Sequence, residues 1–396
     1  MLQRALPALL TAALWASILP AAMAATKADK KAAPKGGAAA APVSAVESEV
    51  VGSVNGKPVS TFGQLVTKFQ KTSPPIFAEA VGVAIGQDAT AQFFGSTPKS
   101  QITVTREAVL KGLRANAQRP FGNGQRQLSL ASMLQQDLTQ EAIRQAGVQR
   151  HATATDADVN AMVLYLVHQK RASMGAQVPA SMTDDQFLNK VQPGLSLAKI
   201  KADPEIRVNA TMFNLARLDI EKKLKHPIGD ADFADVRHIL VKADPLPPSP
   251  TPEQKKADAD ALAKATQIYN DLKAGKIKFE DAVKQYTDDP GSKETGGSYG
   301  TIMPSDAYVP EFLNAAFTTK SGEISKPFRT QFGYHILEVT KTGKDLKPEE
   351  KRNLLMSKEY AQSQITFQTI ASEAKIVNKL QPEPTIPIPG GVRPGG

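Results

Sequence analysis

Two histidines and one aspartate are the residues of this sequence best suited to chemistry. His238 and His335 stand 97 positions apart, yet each lies in a run of β-branched and aromatic residues at period two, VRHILV (Val236 to Val241) and GYHILEV (Gly333 to Val339). Side chains alternate along a strand, so His238 shares a face with Val236 and Leu240, and His335 with Leu337 and Val339. A half-apolar face accepts an imidazole only when its nitrogens are satisfied. If the two strands are neighbours in one sheet the rings can meet, each donating from one nitrogen and accepting at the other. Asp289 falls between the two runs, and two histidines with a carboxylate nominally match a facial metal triad. The sequence contains no cysteine, which excludes thiol catalysis and a disulfide framework.

The elements that must position these groups follow from the intervening chain. The pattern predicts a helix over Pro252 to Gly275, a short helix ending at Tyr286, the polar loop TDDPGSKETGGSYG, a helix around Pro310 to Phe317 and the turn GEISKPFRTQFG. Gly296, Gly297 and Gly333 read as backbone turns rather than a phosphate cradle, because no GKS or GKT follows.

In that order and at those gaps, HILV, TDD, GGSYG, VPEF, GEIS and TQFGYHI resemble the parvulin (PpiC-type) family of peptidyl-prolyl isomerases. The resemblance implies a four-stranded, mainly antiparallel sheet flanked by helices over residues 231–343, working without cofactor or metal. It implies that His238 and His335 form a paired-imidazole floor, with the Thr330 hydroxyl fixing one tautomer. Asp289 falls where the family places cysteine or aspartate, and its implied role is electrostatic tuning of the network and of the substrate carbonyl. Phe312 and Phe332 match ring-gripping positions and Tyr299 a lining position. Tyr308 departs from the family, many of whose members carry methionine there; a phenol is stiffer and has a polar tip. Since this frame accounts for both histidines and Asp289, it takes precedence over the metal triad.

At 396 residues, with 41% hydrophobic and 22% charged residues, the chain has the composition of a soluble globular protein of two or three domains. Arg4, the apolar run Leu9 to Leu19, Pro20 and then Ala22-Met23-Ala24 predict a secretory leader over residues 1–24, although Lys27, Lys30, Lys31 and Lys35 place positive charge just beyond it. The net charge of +9 comes from scattered lysines interleaved with acids, as in Glu349-Glu350-Lys351-Arg352. That pattern reads as solvated surface and not as a nucleic-acid interface.

Residues 25–45, almost all Ala, Lys, Pro and Gly, predict a disordered linker, as does the Pro/Gly tail over 382–396. VVGSVNGKPVS predicts a hairpin turning at Asn55-Gly56, similar to the opening of SurA-like chaperones. Residues 61–125 read as an irregular insertion with one helix near Thr105 to Asn116. Helical spacing then resumes. One helix carries Leu130, Leu134, Leu138 and Ala142 and ends at a Gly147 cap; others start at Thr155, at the capping box Thr183 to Gln186 and at Asp203-Pro204. Pro348 to Leu380 predicts one long helix or two.

The expected architecture is α+β: a mostly helical SurA-like N-terminal domain over 46–230, the isomerase domain inserted at 231–343, and a C-terminal helix over 344–381 packing back on the first domain. The resemblance implies a periplasmic isomerase and folding helper acting on unfolded or partly folded exported polypeptides with X-Pro bonds, with no nucleic acid and no stable membrane insertion once the leader is removed. The alternative is a holdase whose isomerase domain binds peptide without turnover. The loop KADPLPPSPTPEQKK lacks the basic cluster of phosphate-directed members, so no phosphoserine before proline is required.

Overall fold

The computed structural model describes residues 44–94, 106–122 and 128–381. The leader, the tail, the linker except its last two residues and parts of 61–125 lie outside the described residues. Ser44 caps a one-turn helix, α1 (Ala45–Ser48), which leads into the hairpin of β1 (Val50–Val54) and β2 (Lys57–Thr61). Asn55 and Gly56 make the turn with φ of 52° and 78°.

The described residues of 61–125 are more regular than their sequence suggests, holding α2 (Phe62–Thr72), α3 (Pro74–Phe94) and α4 (Arg106–Ala115). Pro74 and Pro75 occupy the first turn of α3, where no intrahelical N–H is needed, so this Pro-Pro pair opens a helix. The few polar residues of the α3 sequence are spread round the helix and form no polar face, so it leaves no periodic signal.

Then come α5 (Leu130–Gln149), α6 (Asp156–Met174), α7 (Asp184–Val191), α8 (Leu197–Ala202) and α9 (Pro204–Leu224), of which α6 and α7 start at the Thr155 and Thr183 capping boxes. Gly147 does not cap α5. The helix runs two residues further, and His151 takes the left-handed conformation with φ of 53°. Gly147 instead admits α9, since a Cβ there would lie 2.4 Å from Thr211 Cγ2. Alanine for glycine in a helix interior ordinarily gains about 1 kcal/mol. Gly147→Ala is expected to reverse that sign, costing about 1–2 kcal/mol by overpacking, as read from thermal unfolding.

The second half holds β3 (Ala234–Lys242), α10 (Pro252–Lys273), α11 (Phe279–Tyr286), β4 (Ser298–Ile302), α12 (Pro310–Thr318), β5 (Phe328–Thr330), β6 (Gly333–Thr342), α13 (Pro348–Glu373) and β7 (Ile376–Asn378). The C-terminal helix thus stops at Glu373. Ile376 and Val377, which the helical reading had included, form a strand antiparallel to β1, giving a sheet of order β2-β1-β7. Among the described residues no helix is long and apolar enough to cross a membrane.

The chain divides into two compact units, residues up to 215 with those from 363 onward, and residues 216–362. The second unit is built on an antiparallel sheet of order β4-β3-β6-β5. Alternation splits its strands between two cores. Ile239, Val241, Tyr334 and Ile336 pack on Ala265, Ile268 and Leu272 of α10 and on Phe279, Ala282 and Val283 of α11. Val236, Leu337 and Val339 face Phe312 and Ala316 of α12. A third cluster joins Ile220 to Phe233 and Met303, and beside it Arg217 holds the buried Glu359.

Candidate active site

β3 and β6 pair with His238 opposite Leu337 and Leu240 opposite His335, so the two histidines are diagonal neighbours on one face. Their Nδ1 atoms are 3.1 Å apart and the rings are near-parallel at 16°. His238 Nε2 lies 3.0 Å from Asp289 Oδ2, and His335 Nε2 lies 2.8 Å from Thr330 Oγ1. Gly333, with φ of 131° and its missing Cβ directed at the Val241 carbonyl 2.3 Å away, lets β6 begin tight against β3.

Asp289 is positioned by the segment before it. The Leu240 N–H donates to Thr287 Oγ1 (3.1 Å), the Asp288 N–H to the Leu240 carbonyl (2.8 Å), and the Lys242 N–H to Asp288 Oδ2 (2.9 Å). This zips the loop onto the edge of β3 and brings Asp289 to the His238 ring. Asp289 Oδ2 also accepts from the hydroxyls of Ser292 and of Tyr299 (3.2 Å), and Oδ1 from the Gly291 N–H (3.0 Å).

The protonation states follow from these surroundings. Burial holds both imidazoles neutral: His238 is shifted down despite the Asp289 carboxylate, and His335 is brought down to about 3 by burial and by His238. Burial opposes ionisation of Asp289, but donation from Ser292, His238 and Gly291 outweighs it and leaves the carboxyl below its ordinary range. An ionised carboxylate only accepts, so His238 Nε2–H donates to Asp289 and the bare His238 Nδ1 accepts from His335 Nδ1–H. His335 Nε2 is then bare and accepts from the Thr330 hydroxyl, whose oxygen takes the Phe332 N–H at 3.1 Å. The hydrogen bonds run in one direction from Thr330 to Asp289. Because Asp289 and His335 sit on opposite edges of the His238 ring, the three side chains do not converge on one point as a facial triad would.

Aromatic rings cover this relay. Phe312 meets both imidazoles edge-on at 5.6 and 5.8 Å, Tyr299 lies 4.5 Å from the His238 ring, and Tyr308 stacks on Tyr299 and Phe312 at 5.7 and 5.4 Å. Of the eight residues singled out from the sequence, His238, Asp289, Thr330, His335, Tyr299, Tyr308 and Phe312 come together. Phe332 does not join them. It is 53% exposed and lines a separate groove of about 420 Å³ with Leu240, Lys242, Ala243, Asp244, Pro245, Asp288 and Gln331. The ring beside the relay is Phe328, directly opposite His335 in register and stacked on it at 5.4 Å. Period two would have found it, since Phe328 shares the face of Thr330 whereas Phe332 lies past the strand end. Ser292, buried between Asp289 and His238, carried no signal in a Gly-rich loop.

Residues 238–341 match a family model described as rotamase, PPIC-type PPIASE domain. A putative peptidyl-prolyl cis-trans isomerase SurA of Haemophilus influenzae is 42% identical over 106 residues, 27% of this chain and 31% of that protein. Chaperone SurA of Pseudomonas fluorescens is 34% identical over 170 residues, 41% of this chain and 37% of the relative. The chain thus spans 31% and 37% of the length of these two relatives. Among solved structures, the peptidylprolyl isomerase PrsA from Bacillus anthracis aligns over 61% of this chain and 96% of its own at 25% identity, with a TM-score of 0.26. Sequence match and site wiring fall on the same span: residues 238–341 form a PpiC-type rotamase domain, similar in sequence to the matched part of SurA chaperones.

Proposed function

We propose that the chain is a peptidyl-prolyl cis-trans isomerase and folding helper that acts in the periplasm on unfolded or partly folded exported polypeptides. Rotation about an X-Pro bond faces a barrier of ~18–20 kcal/mol, because the twisted amide loses conjugation. No covalent bond changes, so a nucleophile is not required. An acceleration of about 10⁵-fold needs roughly 7 kcal/mol from a dry surface that grips the proline ring and from polar groups matched to the twisted amide. The observation that carries this reading is the aromatic shelf of Tyr299, Tyr308, Phe312 and Phe328 over a fully hydrogen-bonded imidazole pair, a surface that takes a proline ring with no buried polar group left to satisfy.

The groove beside the shelf supports a substrate preference. Leu240 lies on the same strand face as His238, two residues on, so the groove receives a side chain flanking the proline. Its walls include Leu240, Pro245 and Phe332, and its charges are Lys242 against Asp244 and Asp288. A phosphate there would meet one cation and two carboxylates. A phospho-Ser-Pro peptide is therefore expected to be isomerised at least about tenfold more slowly than its Leu-Pro counterpart, measured by exchange NMR with the full chain; equal or faster turnover of the phosphopeptide would refute the assignment of the groove. Absence of turnover on any proline peptide, with denatured protein still kept soluble, would favour the second reading, a holdase with a peptide-binding domain. That reading draws on the burial of both histidines, 1% and 4% exposed beneath the aromatic cover.

A further inference from the structure

We infer that Tyr299 is a catalytic residue whose hydroxyl donates a hydrogen bond to the prolyl nitrogen as the amide twists; the inference rests on the isomerase reading above and names a donor within that site. In the planar amide the nitrogen lone pair is delocalised and accepts no hydrogen bond. Twisting confines the pair to a pyramidal, amine-like nitrogen, so a donor aimed at that nitrogen stabilises the transition state and leaves the ground state untouched.

The relay itself has no donor to give. All four imidazole nitrogens of His238 and His335 are used between Thr330, each other and Asp289. Ser292 and Thr330 are buried at 1% and 4% exposure, and their hydroxyl protons point to Asp289 and His335. Tyr299 is different. It is the member of the Asp289 cluster with a large exposed surface, 37%, and its ring is part of the shelf, against His238, Tyr308 and Phe312.

Its hydroxyl is held loosely. At 3.2 Å it is the longest of the three contacts to Asp289 Oδ2, which keeps Ser292 and His238 when the phenol turns away, while Oδ1 keeps the Gly291 N–H. The swing therefore leaves Asp289 ionised and the relay intact. Burial, the Asp289 carboxylate and Tyr308 raise the phenol above its ordinary range, so it stays protonated and is a donor throughout neutral pH. Gly297 and Gly300, with φ of 82° and 67°, flank Ser298-Tyr299 on an edge strand that departs from regular pairing at Arg237.

The test uses the full chain and a Leu-Pro tetrapeptide, with kcat and KM taken from exchange NMR at varied peptide concentration. Tyr299→Phe keeps the ring and removes the donor; the expected result is a fall in kcat of about tenfold with KM unchanged. Tyr299→Leu, which also removes a ring from the shelf, is expected to show the same loss in kcat and a raised KM. Tyr299→Phe with the kcat of the unmodified chain overturns the inference and leaves the isomerase reading standing, as does a loss that appears in Tyr308→Phe instead. An unmodified chain that turns over no proline peptide overturns both.

Discussion

Replacing His238 by phenylalanine is expected to destabilise the unit of residues 216–362 by about 2–3 kcal/mol, His335→Phe by a similar amount, and the double replacement by clearly less than the sum. The reason lies in the direction of the relay. His238→Phe leaves the His335 Nδ1–H facing an apolar ring, and His335→Phe leaves the bare His238 Nδ1 without its donor. Both residues are buried, so each single variant strands a ring nitrogen away from water. The double variant removes both nitrogens together. Asp289 then still accepts from Ser292, Tyr299 and Gly291, and the phenylalanine rings remain against Phe312 and Phe328. Urea unfolding at pH 7.5 supplies the measurement. Six of the seven tyrosines, Tyr269, Tyr286, Tyr299, Tyr308, Tyr334 and Tyr360, lie in this unit and only Tyr165 in the other, so tyrosine fluorescence follows it. Additive single effects would mean that the two rings do not share a hydrogen bond.

The same physics explains which parts of the site were legible in the sequence. A histidine at a core-facing strand position announces itself, because period two fixes its face and burial demands a partner. Thr330 came with the family resemblance alone, and only the fold brings its hydroxyl to His335 Nε2. Phe332 was drawn in by its neighbours in the motif, and only the pairing of Phe328 with His335 shows which aromatic residue faces the relay. Ser292 illustrates the opposite limit, since a loop serine becomes informative only once the backbone has brought it to a carboxylate.

Outside the site, legibility followed amphipathicity. Helices α6, α7 and α9 follow a capping side chain, Thr155, Thr183 and Asp203, and carry an apolar stripe, so their starts were readable, whereas α5 showed its stripe but not its start. Helix α3 has no polar face, and β7 is too short for alternation to separate it from a helix end. β7 is a strand because β1 offers it an edge: Ile376 pairs with Val54 and Asn378 with Gly52, contacts more than 300 positions distant that no local pattern encodes. Gly147 was a plausible cap until α9 arrived against it.

Acidification is expected to destabilise this unit through the same two rings. Unfolded histidine titrates near 6.5, whereas folded His335 is held down to about 3. Between those values the unfolded chain takes up a proton that the folded chain refuses. Proton uptake favours the state that binds it, so the contribution of His335 is fully present above pH 6.5 and is lost at about 1.4 kcal/mol for each unit below it. His238, shifted in the same direction by burial, adds a loss of the same sign. Asp289 acts later: its carboxyl lies below the ordinary range when folded, so its contribution is lost only as pH falls below that range. From pH 6.5 to 4.5 the unit is therefore expected to lose about 2 kcal/mol through His335 and more once His238 is counted. The measurement is the difference in urea-unfolding free energy between the unmodified chain and His238→Phe/His335→Phe at each pH, which cancels the remaining titrating groups. A difference that stays constant across that window would show that the imidazoles titrate normally in the folded unit. If it shrinks as expected, the folded relay stays neutral to well below pH 5, and turnover of proline peptides should show no inflection near 6.5 even as the domain approaches unfolding.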